Sequence, residues 1–266
     1  MAELRFSAAK MFSRARFSDV LAVGRYRFDC VILIIGLNVA VFLLQQWMIW
    51  KTGFEGEAYL QLHERFALTE EGLRSGNWWQ LVSYLFLHGG AEGPWMRFLH
   101  LGLNMLLIFL AGRPVLWAIG PWHFLGLYLL AGATGGVAQL YFSKTAEVPI
   151  TLVGASAAAF GLMLAYTTLF PLERLHLRPF GRVRAEVLGR ATWMACLILA
   201  FVDHFTQGQH IPFVSRIAHV AHWGGAMVGL LYVRVFSLQP KPFDLDALHR
   251  ERETNDRRLD LPSSES

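Results

Sequence analysis

The sequence predicts an all-α, polytopic membrane protein built as a bundle of six transmembrane helices. Of the 266 residues, 54% are apolar or aromatic and only 17% are charged. Soluble domains have roughly 45–50% apolar and about 25% charged residues, so this chain has more apolar surface than one water-excluded core can bury. Six windows also approach the roughly 20 apolar residues that a spanning helix requires. The same balance excludes a disordered chain, a coiled coil and collagen.

The six predicted spans follow the apolar windows in chain order. Their predicted limits are 30–50, 98–118, 122–142, 151–170, 191–206 and 217–236. The first span follows a long polar segment and has no small-residue cleavage site after it, which indicates a retained anchor rather than a signal peptide. Cys30 and Cys196 both lie in apolar runs. This placement disfavours a disulfide framework and a cysteine-rich metal site.

The Lys and Arg residues predict the orientation of the bundle. With the N-terminus inside, 18 of the 24 basic residues fall on inner segments and 6 on outer segments. The positive-inside rule then places both termini in the cytoplasm. Because topology accounts for the net charge of +4, we expect no nucleic-acid binding. We recognise no organelle address, and this favours the inner membrane of a prokaryotic cell as the location.

Three regions are predicted along the chain. They are a basic cytoplasmic N-terminal segment, a membrane domain and a polar cytoplasmic tail, at residues 1–28, 29–237 and 238–266. Within the membrane domain, the first outer loop, about 51–96, is longer than a connector requires. It carries Trp78, Trp79 and Trp95, and indole rings suit the membrane–water interface. We therefore expect this loop to lie partly in the bilayer.

Polar side chains inside three spans are the functional candidates, because a polar group in hydrocarbon is costly unless it is paired. They are His100 and Asn104 in the second span, Ser156 in the fourth, and His219 and His222 in the sixth. All three spans run from outside to inside, and each residue lies within about two turns of the start of its span. We therefore expect these side chains to lie at a similar depth near the outer face.

Small residues predict that the fourth and sixth spans pack closely. In the sixth span, Gly225 and Gly229 form a GxxxG pair on the helical face that carries His222. The fourth span has a run of small residues around the hydroxyl of Ser156, namely Gly154, Ala157, Ala158, Ala159 and Gly161. A serine and a histidine on two such helices can come within hydrogen-bond reach.

These residue types are those of nucleophilic acyl transfer. Ser156 is a weak nucleophile until a base takes its proton, and a neutral His222 can take that proton and return it to the leaving amine. The developing oxyanion needs fixed donors. Asn104 and His100, four residues apart on one helical face, are candidates together with the backbone N–H of Ser156.

At these residues the sequence resembles the rhomboid family of intramembrane serine proteases. The main matching segments are Gly154-Ala155-Ser156 followed by Phe160-Gly161, Ala221-His222-Trp223-Gly224-Gly225 with Gly229, and His100 with Asn104-Met105. Lesser matches are Trp79-Gln80-Leu81 leading to Phe86-Leu87-His88, and Gly112-Arg113-Pro114 after the second span. Together they cover residues 77–230.

The resemblance implies a protease with a dyad of Ser156 and His222, assisted by His100 and Asn104. Its implied substrates are transmembrane proteins cut near their outer ends, and no metal or organic cofactor is implied. The implied partners are these substrates and the lipid bilayer; the oligomeric state is not implied.

This chain departs from the family pattern at three places. Ala157 stands where glycine often follows the serine, Leu116 or Trp117 stands where an acidic residue is common, and extra residues including Gly93 and Pro94 separate the two histidines of the first loop and second span.

The residues alone leave other interpretations of single side chains open. Ser156 could bond the carbonyl one turn earlier, and His222 could be structural. His219 and His222 form an HxxH pair that could hold zinc, and His100 with Asn104 could join helices as polar glue. His88 and His219 are interpreted as structural or interfacial residues, and Gly132 and Gly136 as packing residues. Asp203 could orient a histidine, but we interpret it as part of a solvated helix end.

Two rival functions also stay open. The first is a catalytically inactive relative that binds transmembrane helices, but such relatives usually lack the serine or the histidine and this chain has both. The second is a small transporter, for which polar residues should line a path through both leaflets. Here the polar residues cluster near the outer side only.

Overall fold

The computed structural model describes residues 29–89, 93–143, 150–177, 181–205, 218–236 and 238. The predicted N-terminal segment and nearly all of the predicted tail lie outside the described residues. The helices are α1 (Cys30–Thr52), α2 (Glu57–Phe66), α3 (Glu70–Arg74), α4 (Gln80–Ser83), α5 (Pro94–Ile119), α6 (Pro121–Phe142), α7 (Ser156–Leu169), α8 (Ala185–Phe205) and α9 (His219–Val235). A 3₁₀ turn, Tyr84–Phe86, follows α4. Strands β1 (Arg174–Leu177) and β2 (Gly181–Arg184) form an antiparallel hairpin between α7 and α8.

A helix occupies each of the six predicted windows, and the all-α membrane class is confirmed. Four helices, α1, α5, α6 and α8, are long and apolar enough to cross a membrane. The other two, α7 and α9, have 14 and 17 residues. These two are shorter than the roughly 20 residues of a full crossing, so six crossings stay a prediction.

The helix of the fourth predicted span, α7, begins later than predicted. Leu68 and Leu152 pair through their backbones, with N···O distances of 3.0 and 2.9 Å, and Gly154 has a φ of +114°. A helix cannot pass through this conformation, which glycine adopts most readily. The predicted start at residue 151 is therefore wrong, and Ser156 is the first residue of α7.

The second span is longer than predicted. α5 begins at Pro94, and Gly112-Arg113-Pro114 lies inside it rather than after it. Arg113 is buried and pairs with Asp29, with Nη2 and Oδ2 2.9 Å apart. Asp29 also caps α1, because its Oδ1 accepts hydrogen bonds from the first backbone N–H groups of that helix. The carboxylate that meets Arg113 thus comes from the start of α1.

α7 lies at the centre of the bundle. It packs against α5, α6, α8 and α9, and ten of its 14 residues are buried. Because other helices surround α7, its small side chains decide how closely those helices approach it.

The glycines of α9 allow a close approach to α7. A Cβ atom on Gly225 would overlap the carbonyl oxygen of Ala157, and one on Gly229 would overlap that of Gly161. These two contacts follow each other in the same order along both helices, so α7 and α9 run in the same direction. On α6, a Cβ atom on Gly135 would lie 2.8 Å from the Cβ of Ala157.

The segment between α1 and α5 is folded onto the bundle by buried polar groups. Gln45 of α1 accepts a hydrogen bond from the backbone N–H of His88 at 3.0 Å, and its Nε2 lies 3.0 Å from Nε2 of His63. The backbone N–H of Gly154 donates to the carbonyl of Tyr84 at 2.9 Å. This segment therefore fixes the backbone that leads into α7.

Candidate active site

Ser156 and His222 form a hydrogen bond. The Oγ of Ser156 lies 2.8 Å from the Nε2 of His222, across 66 positions of sequence. Ser156 is the first residue of α7, and His222 is in the first turn of α9. The parallel packing of α7 and α9 places these two helix starts side by side. We call this end of the bundle the serine end, and the opposite end the far end.

An aromatic ring holds the imidazole of His222. The ring of Phe160 stacks on it with centroids 4.4 Å apart and planes 11° from parallel. Phe160 lies four residues after Ser156, so both side chains face α9 from one side of α7. The stacking restricts rotation of the imidazole while its edge stays directed at Ser156. The ring of His219, one turn earlier in α9, lies 6.2 Å away and perpendicular.

His100 and Asn104 reach the backbone just before the serine. A Cβ atom on Gly154 would lie 2.8 Å from Nε2 of His100 and 3.8 Å from Nδ2 of Asn104. Only a residue without a side chain fits at this position. The polar residues predicted in the second, fourth and sixth spans therefore lie close together. Ser156, however, lies at a helix start rather than inside a span.

The hydrogen bonds of His100 indicate where its proton lies. The backbone N–H of Gly89 donates to Nδ1 of His100 at 3.3 Å. In a neutral imidazole whose Nδ1 accepts, the proton is on Nε2, so the nitrogen that faces Gly154 is a donor. Asn104 donates from Nδ2 to the carbonyl of His100 at 3.0 Å, which fixes its amide beside the same ring.

The start of α7 contributes backbone donors. The first backbone bond into α7 is from the N–H of Ala159 to the carbonyl of Ala155, at 2.9 Å. The N–H groups of the first turn, including that of Ser156, have no partner within a helix. The positive end of the helix dipole lies there, so the serine end favours a developing negative charge.

Sequence reasoning missed Gln139 of α6. Its Oε1 accepts a hydrogen bond from the backbone N–H of Ala221 at 3.0 Å, and its Nε2 donates to Ser143. Gln139 is buried and satisfies one of the first N–H groups of α9, next to His222. A polar residue in the predicted third span was the available signal. The contribution of Phe160 beyond its place in a motif was also missed, although its spacing from Ser156 could have indicated it.

The remaining polar candidates lie outside the serine–histidine pair. His88 is fully buried, and its ring lies 5.2 Å from that of His100. Burial lowers the pKa of His88 to about 3, so its ring is neutral at neutral pH. In the part of the chain that the structure describes, no group of three possible metal ligands includes His219 and His222. The side chain of Asp203 lies outside the described residues.

The glycines of α6 pack against the first loop. A Cβ atom on Gly132 would lie 2.6 Å from Cδ1 of Leu85, and one on Gly136 would lie 3.0 Å from the hydroxyl of Tyr84. This hydroxyl donates to the carbonyl of Gly132 at 2.7 Å. The interpretation of both glycines as packing residues is confirmed.

Comparison with known proteins identifies the family. A family model described as the rhomboid domain matches residues 75–239. The chain is 29% identical to the mitochondrial rhomboid protein 1 of Saccharomyces cerevisiae, over 77% of this chain and 52% of that protein. It is 30% identical to rhomboid-related protein 1 of Caenorhabditis elegans, over 59% of this chain and 39% of that protein. It is 34% identical to the rhomboid protease GluP of Bacillus subtilis, over 41% of this chain and 19% of that protein.

The chain spans about half the length of these relatives or less. The family model nevertheless covers more than half of the chain. It includes the four polar residues His100, Asn104, Ser156 and His222. With its membrane-spanning helices, this chain is an integral membrane protein that belongs to the rhomboid family.

Proposed function

We propose that this chain is an intramembrane serine endopeptidase in which Ser156 is the nucleophile and His222 the general base. The observation that carries the proposal is the 2.8 Å separation of Oγ and Nε2. A nucleophile within hydrogen-bond reach of a base is the arrangement that covalent acyl transfer requires. The similarity to a relative named as a protease supports the same class.

The proposed reaction has two halves. Ser156 Oγ attacks the carbonyl carbon of a substrate amide while its proton passes to Nε2 of His222. The imidazolium returns this proton to the leaving nitrogen as the C–N bond breaks, and an acyl-enzyme remains. Water then attacks the ester, giving its proton to Nε2, and the Ser156 hydroxyl is reformed as the acid product leaves. Nε2 can accept in both halves when the resting proton is on Nδ1.

The groups around Gly154 would stabilise the oxyanion. Two donors lie beside this position, Nε2–H of His100 and the amide of Asn104. The backbone N–H of Ser156, at the start of α7, is the third candidate donor. Losing one such donor costs roughly 3–4 kcal/mol of transition-state stabilisation in serine proteases. Because several donors would stabilise the oxyanion, the loss of Asn104 alone should leave measurable activity.

The proposed substrates are transmembrane proteins whose helices unwind at the level of the serine end. From the distribution of basic residues, we infer that this end is at the outer face and that both termini are in the cytoplasm. A prokaryotic cell membrane remains our prediction, since the relatives include a mitochondrial protein as well as a bacterial one. The hydrogen bond between Ser156 and His222 favours the protease over an inactive helix-binding relative.

Labelling with a serine-directed fluorophosphonate tests the proposal. The purified protein should be labelled covalently, Ser156→Ala should not, and His222→Ala should be labelled at least about a hundredfold more slowly because the base is gone. Labelling that survives Ser156→Ala, or a wild-type protein that is never labelled, would contradict the dyad.

A further inference from the structure

The hairpin between α7 and α8 is fixed to the bundle at its base. In the ladder, Arg174 faces Arg184 and Leu175 faces Val183. Next to the Arg174–Arg184 pair, on the side of the helices, the backbone N–H of Ala185 donates to the carbonyl of Glu173 at 2.7 Å. The hydrogen bonding of the hairpin therefore continues to the first residue of α8.

The two faces of the hairpin differ in character. Successive side chains of a strand point to opposite faces, and partners across an antiparallel ladder share a face. Leu175 and Val183 are half-buried, and Leu175 packs against the core. The opposite face carries Arg174, Arg182 and Arg184, all exposed. We call these three residues the arginine face.

The arginine face places like charges directly opposite each other. Arg174 faces Arg184, and Arg182 is two residues from Arg184 on the same strand. Cross-strand neighbours have Cβ atoms about 5 Å apart, and like charges at this spacing destabilise a sheet. A bound anion between the guanidinium groups would remove this cost.

Nearby acidic residues neutralise only part of the face. Glu186 pairs with Arg184 at 3.4 Å and with Arg190 at 3.2 Å. Glu173 is buried and alternates to the inward face. Among the residues that the structure describes, no acidic side chain pairs with Arg174 or Arg182.

The arginine face lies at the membrane boundary of the far end. The hairpin follows the last turn of α7, whose first residue is at the serine end. At the same end, Trp122 lies in the first turn of α6 and is 84% exposed, and the exposed Phe236 follows α9. Exposed aromatic side chains beside cationic ones are typical of the level of lipid headgroups. The charges therefore lie where phosphate groups are most concentrated.

We propose that the arginine face binds the phosphate of an anionic phospholipid in the leaflet at the far end. Guanidinium groups match phosphate oxygens in bidentate geometry, and neighbouring arginines on one sheet face can hold one phosphodiester from two sides. The positive-inside rule depends only on how many basic residues lie on one side of the membrane, and not on their arrangement. This site needs the register that puts Arg174 opposite Arg184. It is independent of the proposed proteolysis.

Lipid titration followed by native mass spectrometry tests the site. The purified full chain is titrated with dioleoylphosphatidylglycerol or with zwitterionic dioleoylphosphatidylcholine, and the Kd of the first lipid is measured. We expect the wild type to prefer phosphatidylglycerol and Arg174→Gln/Arg182→Gln/Arg184→Gln to lose the preference. Each arginine near a charged membrane surface contributes about a fivefold change in binding.

The matched control is Lys51→Gln/Arg65→Gln/Arg74→Gln, which removes three exposed cations at the serine end. This variant should keep the preference for phosphatidylglycerol. Equal Kd values for the two lipids in the wild type, an unchanged preference in the hairpin variant, or an equal loss in the control would each overturn the site. If the triple hairpin variant does not fold, Arg182→Gln alone should weaken phosphatidylglycerol binding about fivefold, and an unchanged Kd would overturn the site.

Discussion

The proposed reaction requires opposite proton arrangements in two histidines at the serine end. His100 accepts from the backbone N–H of Gly89 at Nδ1, so its Nε2 is a donor. In the proposed reaction His222 must instead accept at Nε2, 2.8 Å from Ser156. One imidazole can thus stabilise negative charge while the other takes a proton.

Asn104→Ala should slow fluorophosphonate labelling of Ser156 by about a hundredfold, the low end of the range for an oxyanion donor, because other donors remain. The measurement is the second-order rate constant of labelling. Asn38→Ala is the matched control, since both amides are buried and donate to the carbonyl four residues earlier, at 2.8 Å for Asn38 and 3.0 Å for Asn104. Asn38→Ala should leave the rate unchanged. Equal rates for wild type and Asn104→Ala would remove Asn104 from the site.

The sequence predicted the polar residues of the site better than their surroundings. Ser156 and His222 stand out because a hydroxyl and an imidazole are costly in apolar windows. Gln139 satisfies the same criterion, but its partner is a backbone N–H of α9, which no side-chain pattern reveals. The close approach of His100 to Gly154 likewise depends on a backbone conformation that arises from tertiary pairing.

At the scale of helices, the packing of α9 on α7 controls the distance between the proposed base, His222, and the proposed nucleophile, Ser156. The carbonyl oxygens of Ala157 and Gly161 face Gly225 and Gly229 with no room for a Cβ atom. Any side chain added there moves the start of α9, and His222 with it. A shift of about 1 Å in catalytic groups can cost about a hundredfold in rate.

Gly225→Ala should therefore abolish most labelling of Ser156 while the protein still inserts into the membrane. The control is Gly102→Ala on α5, where an added Cβ atom meets nothing within 4 Å. Labelling rate and the yield of membrane-extracted monodisperse protein are measured for both variants. Full labelling of Gly225→Ala would show that the close packing of α9 on α7 does not position the dyad.

Element types were predicted more accurately than element limits. Hydropathy windows report how much apolar sequence is present, and α1 and α6 follow them closely. They do not report dihedral angles, so the extended residues before Ser156 were missed. The hairpin was also missed, because its strands have four residues each and its register is set by the ends of α7 and α8.

At the scale of the whole molecule, the proposed catalytic site and the proposed lipid site lie at opposite ends of the bundle. The serine end carries the four polar residues of the site. The far end carries the pair of Arg113 with Asp29 and the arginine face. Along α5, His100 and Arg113 are separated by about 20 Å, so changes at the far end should affect stability without changing the reaction.

Asp29→Asn tests this separation, because asparagine still caps a helix and only the charge that meets Arg113 is lost. Arg113 is 2% exposed and Asp29 21%, and breaking a buried ion pair costs about 3 kcal/mol or more. We expect a lower melting temperature and an unchanged labelling rate well below it. Adding Arg113→Met should recover stability, because an apolar side chain of similar volume then replaces the buried guanidinium. An unchanged melting temperature in Asp29→Asn, or slower labelling while the protein is still folded, would contradict this division between the two ends.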